Sequence, residues 1–162
     1  MSNEILQKQG TSQLWTDAGT GADNLMDLTG LATTVGRKGD GHDWGTPFPR
    51  LFRVQLKVEF GTGPTSGSVV SVYWASSVDN SQFDGNLAAG DAAASDTDVH
   101  RQLHFIGNLV ADNVTTVQSQ SWWFAMPGRY GFPVVYNATN QSTSTDSADN
   151  TLTFTPIIDE VQ

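Results

Sequence analysis

His100 and His104 are the residues whose type and spacing come nearest to a metal site. On a helix, imidazoles at i and i+4 meet on one face. Here they flank Arg101, Gln102 and Leu103 within residues 99–106 (VHRQLHFI), which read as a strand. On a strand the two rings share a face but stand about 13 Å apart, at roughly 3.3 Å per residue. That is too far for one ion, so no metal site is expected. Asp40-Gly41-His42-Asp43 places carboxylates in a glycine-rich loop, and Asp91, Asp96 and Asp98 form a second loose acidic group. Neither has the oxygen ladder and closing Glu of an EF-hand loop. Both read as solvated loop acids, and no cofactor is expected.

Hydrolysis needs a nucleophile beside a base, or two carboxylates across a cleft. Glu59, Asp79 and Asp84 could supply carboxylates, but nothing in their spacing brings them together. The Gly-x-Ser-x-Gly elbow, the phosphate-binding loop and the dinucleotide glycine pattern are missing. The expectation is a protein that is not an enzyme. The five tryptophans, Trp15, Trp44, Trp74, Trp122 and Trp123, admit two uses. They could form a sugar-stacking platform, with Trp44 in its Gly/Pro-rich loop as the best exposed candidate. Or they could fill a core and a subunit interface, where aromatics dominate the buried area.

The elements that must carry these residues are strands. Residues 51–60 (LFRVQLKVEF) alternate strictly, with Phe52, Val54, Leu56, Val58 and Phe60 apolar and Arg53, Gln55, Lys57 and Glu59 polar. That predicts a strand with one buried face. Residues 61–67 (GTGPTSG) read as a turn, and residues 69–75 as the hairpin partner. Further strands are predicted over 99–106, 109–117, 119–126, 132–138 and 151–157, with Gly107-Asn108 as a turn. Pro133 suggests an edge or a strand start. Residues 25–35 suit a strand or an irregular segment, and their apolar residues at 25, 28 and 31–32 fit helical spacing as well. Residues 36–50 read as a long loop, and so does the polar stretch 76–98, for which contact with a neighbouring subunit is expected. Residues 140–150 (NQSTSTDSADN) form a polar loop.

About eight or nine strands and no confident helix predict an all-β chain, a single-domain β-sandwich or jelly roll over 25–162. Residues 1–24 are polar and read as an extended N-terminal arm, with a short strand near Leu14-Trp15. Three strands are apolar on both faces: 69–75 (VVSVYWA), 121–126 (SWWFAM) and 132–136 (FPVVY). Successive side chains of a strand point to opposite faces. A lone two-layer domain is polar on its outer faces. A subunit interface is therefore expected over these strands, at Trp74, Trp122, Trp123 and Tyr136.

The chain has 162 residues, no cysteine, and 8 Lys+Arg against 17 Asp+Glu, for a net charge of −9. Length fits one domain. A disulfide framework and thiolate chemistry are excluded. Nucleic acid binding needs clustered basic residues, and none cluster here. No stretch nears the roughly 20 apolar residues of a membrane span, and the amino terminus lacks a signal peptide's apolar run. A soluble product made in a cytoplasm is expected. The Asn-x-Ser/Thr matches at Asn113, Asn137 and Asn140 are expected to be chance.

Gly128-Arg129-Tyr130-Gly131 with Val134-Val135-Tyr136-Asn137-Ala138-Thr139, and the ending Thr151-Leu152-Thr153-Phe154-Thr155-Pro156-Ile157-Ile158-Asp159-Glu160, resemble small virion structural proteins of tailed bacteriophages. That group includes capsid decoration, or cement, proteins. The resemblance implies a β-sandwich or jelly roll, often a homotrimer, bound to the major capsid protein on the outside of the head and stabilising it. An arm would reach neighbouring subunits, here through Ile5, Leu6, Leu14 and Trp15. Tail or baseplate membership, and a carbohydrate-binding sandwich, are the alternatives.

Overall fold

The computed structural model describes residues 5–17, 24–94 and 102–161. Among them run twelve strands: β1 (Ile5–Gln9), β2 (Gln13–Thr16), β3 (Asn24–Leu25), β4 (Val35–Lys38), β5 (His42–Asp43), β6 (Leu51–Val58), β7 (Val69–Ser77), β8 (Ala92–Ala94), β9 (His104–Val110), β10 (Gln118–Ala125), β11 (Tyr130–Asn137) and β12 (Thr151–Val161). They make two sheets. The first has the order β10-β6-β12-β2-β3, with β1 also on β12. The second has the order β8-β4-β11-β7-β9, with β5 also on β11. The architecture is an all-β sandwich.

Strand β6 shows why. Its alternation puts Phe52, Val54, Leu56 and Val58 on one face, and with Phe60 they are buried to within 1%. Arg53 and Gln55 face out. Each buried side chain contributes roughly 1.5–3 kcal/mol relative to exposure. From β12, Leu152 and Phe154 join the same layer, and from β7, Val70, Val72 and Trp74 close it. Hence β6 and β7 cannot be hairpin partners: their apolar faces meet across the core, and the 61–67 turn carries the chain from one sheet to the other. β6 pairs with β10 and β12, β7 with β9 and β11.

Several expectations change in the same way. Residues 36–50 are not all loop, because β4 and β5 both pair with β11. Gly107 and Asn108 lie inside β9 rather than in a turn, and residues 111–117 form the loop that follows it. Pro133 sits in β11, flanked by strands on both sides, not at an edge. It is tolerated because the β4 ladder stops at Lys38 and β5 resumes at His42. The Pro133 carbonyl accepts the Gly39 amide in that gap, at 3.0 Å.

Two of the three double-sided strands are covered by the chain itself. On the outer face of the second sheet, Ala75, Phe132 and Val134 pack with Ala94 and Leu103, against Tyr73, Phe83 and Leu87. The Phe83 and Phe132 rings lie 4.9 Å apart. The 76–94 connection is thus a lid on its own sheet. Polar ties hold it. Arg37 donates through Nε and Nη2 to both carboxylate oxygens of Asp91, each at 2.6 Å, and Lys38 Nζ donates to the Ala88 carbonyl at 2.6 Å.

Burial pushes the Asp91 carboxyl up, but the Arg37 hydrogen bonds, the Asp27 amide and the Arg37 charge outweigh it and leave its pKa below the ordinary value. A depressed folded pKa means stabilisation that is full above the unfolded value, about 3.9, and is lost as pH falls through the folded one. Acid should therefore loosen the lid. Amide protection across residues 84–94, corrected for intrinsic exchange, is expected to drop below about pH 4. Arg37→Gln should remove that dependence and cost about 1 kcal/mol, the upper end for part-exposed pairs.

The arm is also revised. β1 pairs with Ile157–Val161 of β12, and β2 with Leu152–Phe154. Residues 5–9 and 13–16 are strands of the chain's own first sheet, not a free extension.

Candidate interaction surface

Residues 104–125 (HFIGNLVADNVTTVQSQSWWFA) contain no Lys, Arg or Glu, and one acid, Asp112. They form β9, a loop and β10, the edge strands of the two sheets on one side of the sandwich. Five of the eight exposed large apolar side chains among the described residues fall here: Phe105, Val110, Val114, Val117 and Trp123. The others, Leu25, Val78 and Ile158, are scattered.

Parity and packing resolve the Trp122–Trp123 pair. Trp122 faces β9 and packs on the main core. Its indole lies so close to Gly107 that any Cβ there would enter the ring. Trp123 therefore points out of the first sheet and is 65% exposed. It stands opposite Arg53, which stands opposite Thr155. In the next row are Ser121, Gln55, Thr153 and Leu14.

The two edges differ. β9 is interrupted by a register shift at Val72/Tyr73, and its Val110 amide is satisfied by Gln120 Oε1 at 3.3 Å. The loop is pinned by Gln118, whose side chain accepts the Asp112 amide at 2.8 Å and donates to the Asp112 carbonyl at 3.0 Å. β10 has no such device. It pairs with β6 alone among the described strands and carries no charge, proline or bulge. Edge strands of monomeric proteins usually carry one of these.

The other predicted site residues fare differently. Trp74 is not at an interface: it is fully buried, 5.2 Å from Phe154 and 6.2 Å from both Trp15 and Trp44 between ring centroids. Trp15, expected on the arm, is fully buried too, with Nε1 donating to the Asp40 carbonyl at 3.1 Å. Trp44 is half-buried between His42 and Phe52, at 4.3 and 4.5 Å, and is no exposed platform. Tyr136 is half-buried on the outer face of the second sheet, opposite Ser71. Leu14 is half-buried, and for Ile5 and Leu6 the backbone pairing with β12 is described.

Of the acids, Asp79 closes a turn. The Ser81 and Gln82 amides and the Ser77 hydroxyl donate to it and hold its carboxyl well below the usual range. Asp43 is engaged by Arg129, and Asp40 Oδ2 accepts the Leu25 amide at 3.1 Å. Asp84 pairs with His104 at 3.2 Å beside a cleft of about 360 Å³ that Ser76, Ser77 and Gln82 also line. No serine hydroxyl among the described residues is hydrogen-bonded to His104. Among the described residues no three His, Asp or Glu side chains gather as a metal site. His100, Asp96 and Asp98 lie outside the described residues.

A second cleft, about 320 Å³, runs between Pro47–Leu51 and the end of β12, lined by Phe48, Ile157 and Ile158 with Gln7 and Asp159 at its rim. Here β12 continues past β6 with β1 as its only described partner. Among the described residues no helix is long and apolar enough to cross a membrane. No protein-family model matches this sequence, and no curated protein is detectably similar to it.

Proposed function

We propose that this chain is a structural component of a phage particle, a capsid decoration protein that self-associates and binds the outside of the head. The observation that carries it is the concentration of exposed apolar side chains on the 104–125 segment, which has a single acid and no Lys, Arg or Glu, in an otherwise acidic chain. Clustered apolar exposure marks association surfaces, whereas scattered exposure does not. The remaining acidic surface suits a protein held at high local concentration. Trp123 is the self-interface residue this supports. The surface supports a homo-oligomer; the number three rests on the resemblance alone.

Contact with the major capsid protein is assigned to the β1–β12 ribbon and the cleft beside it, which keeps Ile5 and Leu6 in the role first given to the arm. Decoration then stabilises the shell by linkage, since a partner that binds only the assembled form shifts the equilibrium toward it. Purified chain mixed with tailless heads of the capsid protein from the same genome should co-sediment at a fixed ratio. Binding to isolated tails and not to heads would move the protein to the tail or baseplate. A carbohydrate-binding role calls for a row of exposed tryptophans, and Trp123 is the sole exposed one among the described residues. A tryptophan fluorescence change on a glycan panel would favour it.

A further inference from the structure

We infer that the free edge of β10 pairs, antiparallel, with β10 of a second copy, so that the first sheet runs continuously through a two-fold dimer. This rests on the self-association proposed above and names its partner and register.

An unpaired edge is a row of amides and carbonyls that another strand can satisfy. Of the two edges on this side, β9 is interrupted and partly capped, while the eight residues of β10 have no strand partner but β6 among the described residues. A second copy is the occupant that the charges favour. Two chains of net charge −9 repel, and they approach at least cost where neither carries an acid. β10 (QSQSWWFA) has none, so antiparallel self-pairing sets no like charges opposite each other.

Parity restricts the register. A two-fold axis perpendicular to the sheet keeps outer faces on one side, so outward residues must oppose outward residues. With Ser121 opposite Ser121, each Trp123 stands opposite Ser119 of the second copy and diagonal to its Val117. Diagonal neighbours on a sheet lie within reach of an aromatic side chain. That register therefore covers Trp123 with Val117, both exposed in the single chain. It also sets the two β9 strands side by side in the facing layer, with Phe105 and Val110 flanking the contact.

The absence of native cysteine makes the register directly measurable. Residues opposed across an antiparallel pair have Cα atoms about 4.5–5.5 Å apart, within disulfide range. Under mild oxidation, Ser121→Cys should give a covalent dimer at least tenfold faster than Ser119→Cys or Val78→Cys, the last being exposed and remote from β10 in the chain. Ser121→Lys, with an unchanged circular dichroism spectrum, should halve the mass in solution. Cross-linking at 121 no faster than at 78, or an unchanged mass for Ser121→Lys, would overturn the pairing. A wild-type trimer without the 121 cross-link would overturn the pairing and leave self-association standing. A single-copy mass would overturn both.

Discussion

Trp123→Glu is expected to weaken self-association by about 2–4 kcal/mol, a factor of roughly 30 to 1,000. The fold should barely change. The side chain lies outside the core, at 65% exposure, and opposite Arg53, so a carboxylate there gains a cross-strand partner. Surface changes of this kind usually stay within about 0.5 kcal/mol. Association is affected twice over. The substitution removes the largest exposed apolar side chain and puts a charge on an edge strand that has none, the device by which sheet edges resist pairing. Concentration-dependent mass checks the first effect, and urea unfolding at fixed low concentration the second.

Trp74→Ala should do the opposite: lower stability by about 3–5 kcal/mol and leave any surviving folded protein able to associate. Trp74 lies where both sheets meet, touching Trp15 edge-on at 87° and lying 5.2 Å from Phe154. Truncation opens a cavity that neither sheet can close without breaking its ladder. The total stability of such a domain is about 5–15 kcal/mol, so the loss is a large fraction of it. Trp74→Phe should cost much less, because the indole Nε1 has no hydrogen-bond acceptor to lose. Chemical denaturation of the three proteins tests the ordering.

Local alternation made the sandwich legible. Phe52 to Phe60 read as one buried face, and they form the core floor. Pairing was less legible, because two adjacent apolar strands can form a hairpin or face each other across a core. β6 and β7 do the second. The double-sided strands carried a real signal with two physical causes. For β7 and β11 the second apolar face is covered by Phe83, Leu87, Ala94 and Leu103 of the same chain. Alanine- and glycine-rich stretches such as 88–94 give little hint that they close a lid. For β10, the outward Trp123 has no such cover. Composition counts tryptophans without sorting them. Trp15 and Trp74 are core, Trp122 lies against Gly107, and only topology leaves Trp123 exposed beside an open edge.

The most direct measurement is the absolute mass of the purified chain by light scattering with sedimentation equilibrium, across the micromolar range. A mass of two or more copies that falls toward one on dilution, and for Trp123→Glu at every concentration, is the predicted result. A wild-type chain that stays single throughout would contradict an association surface on β9 and β10.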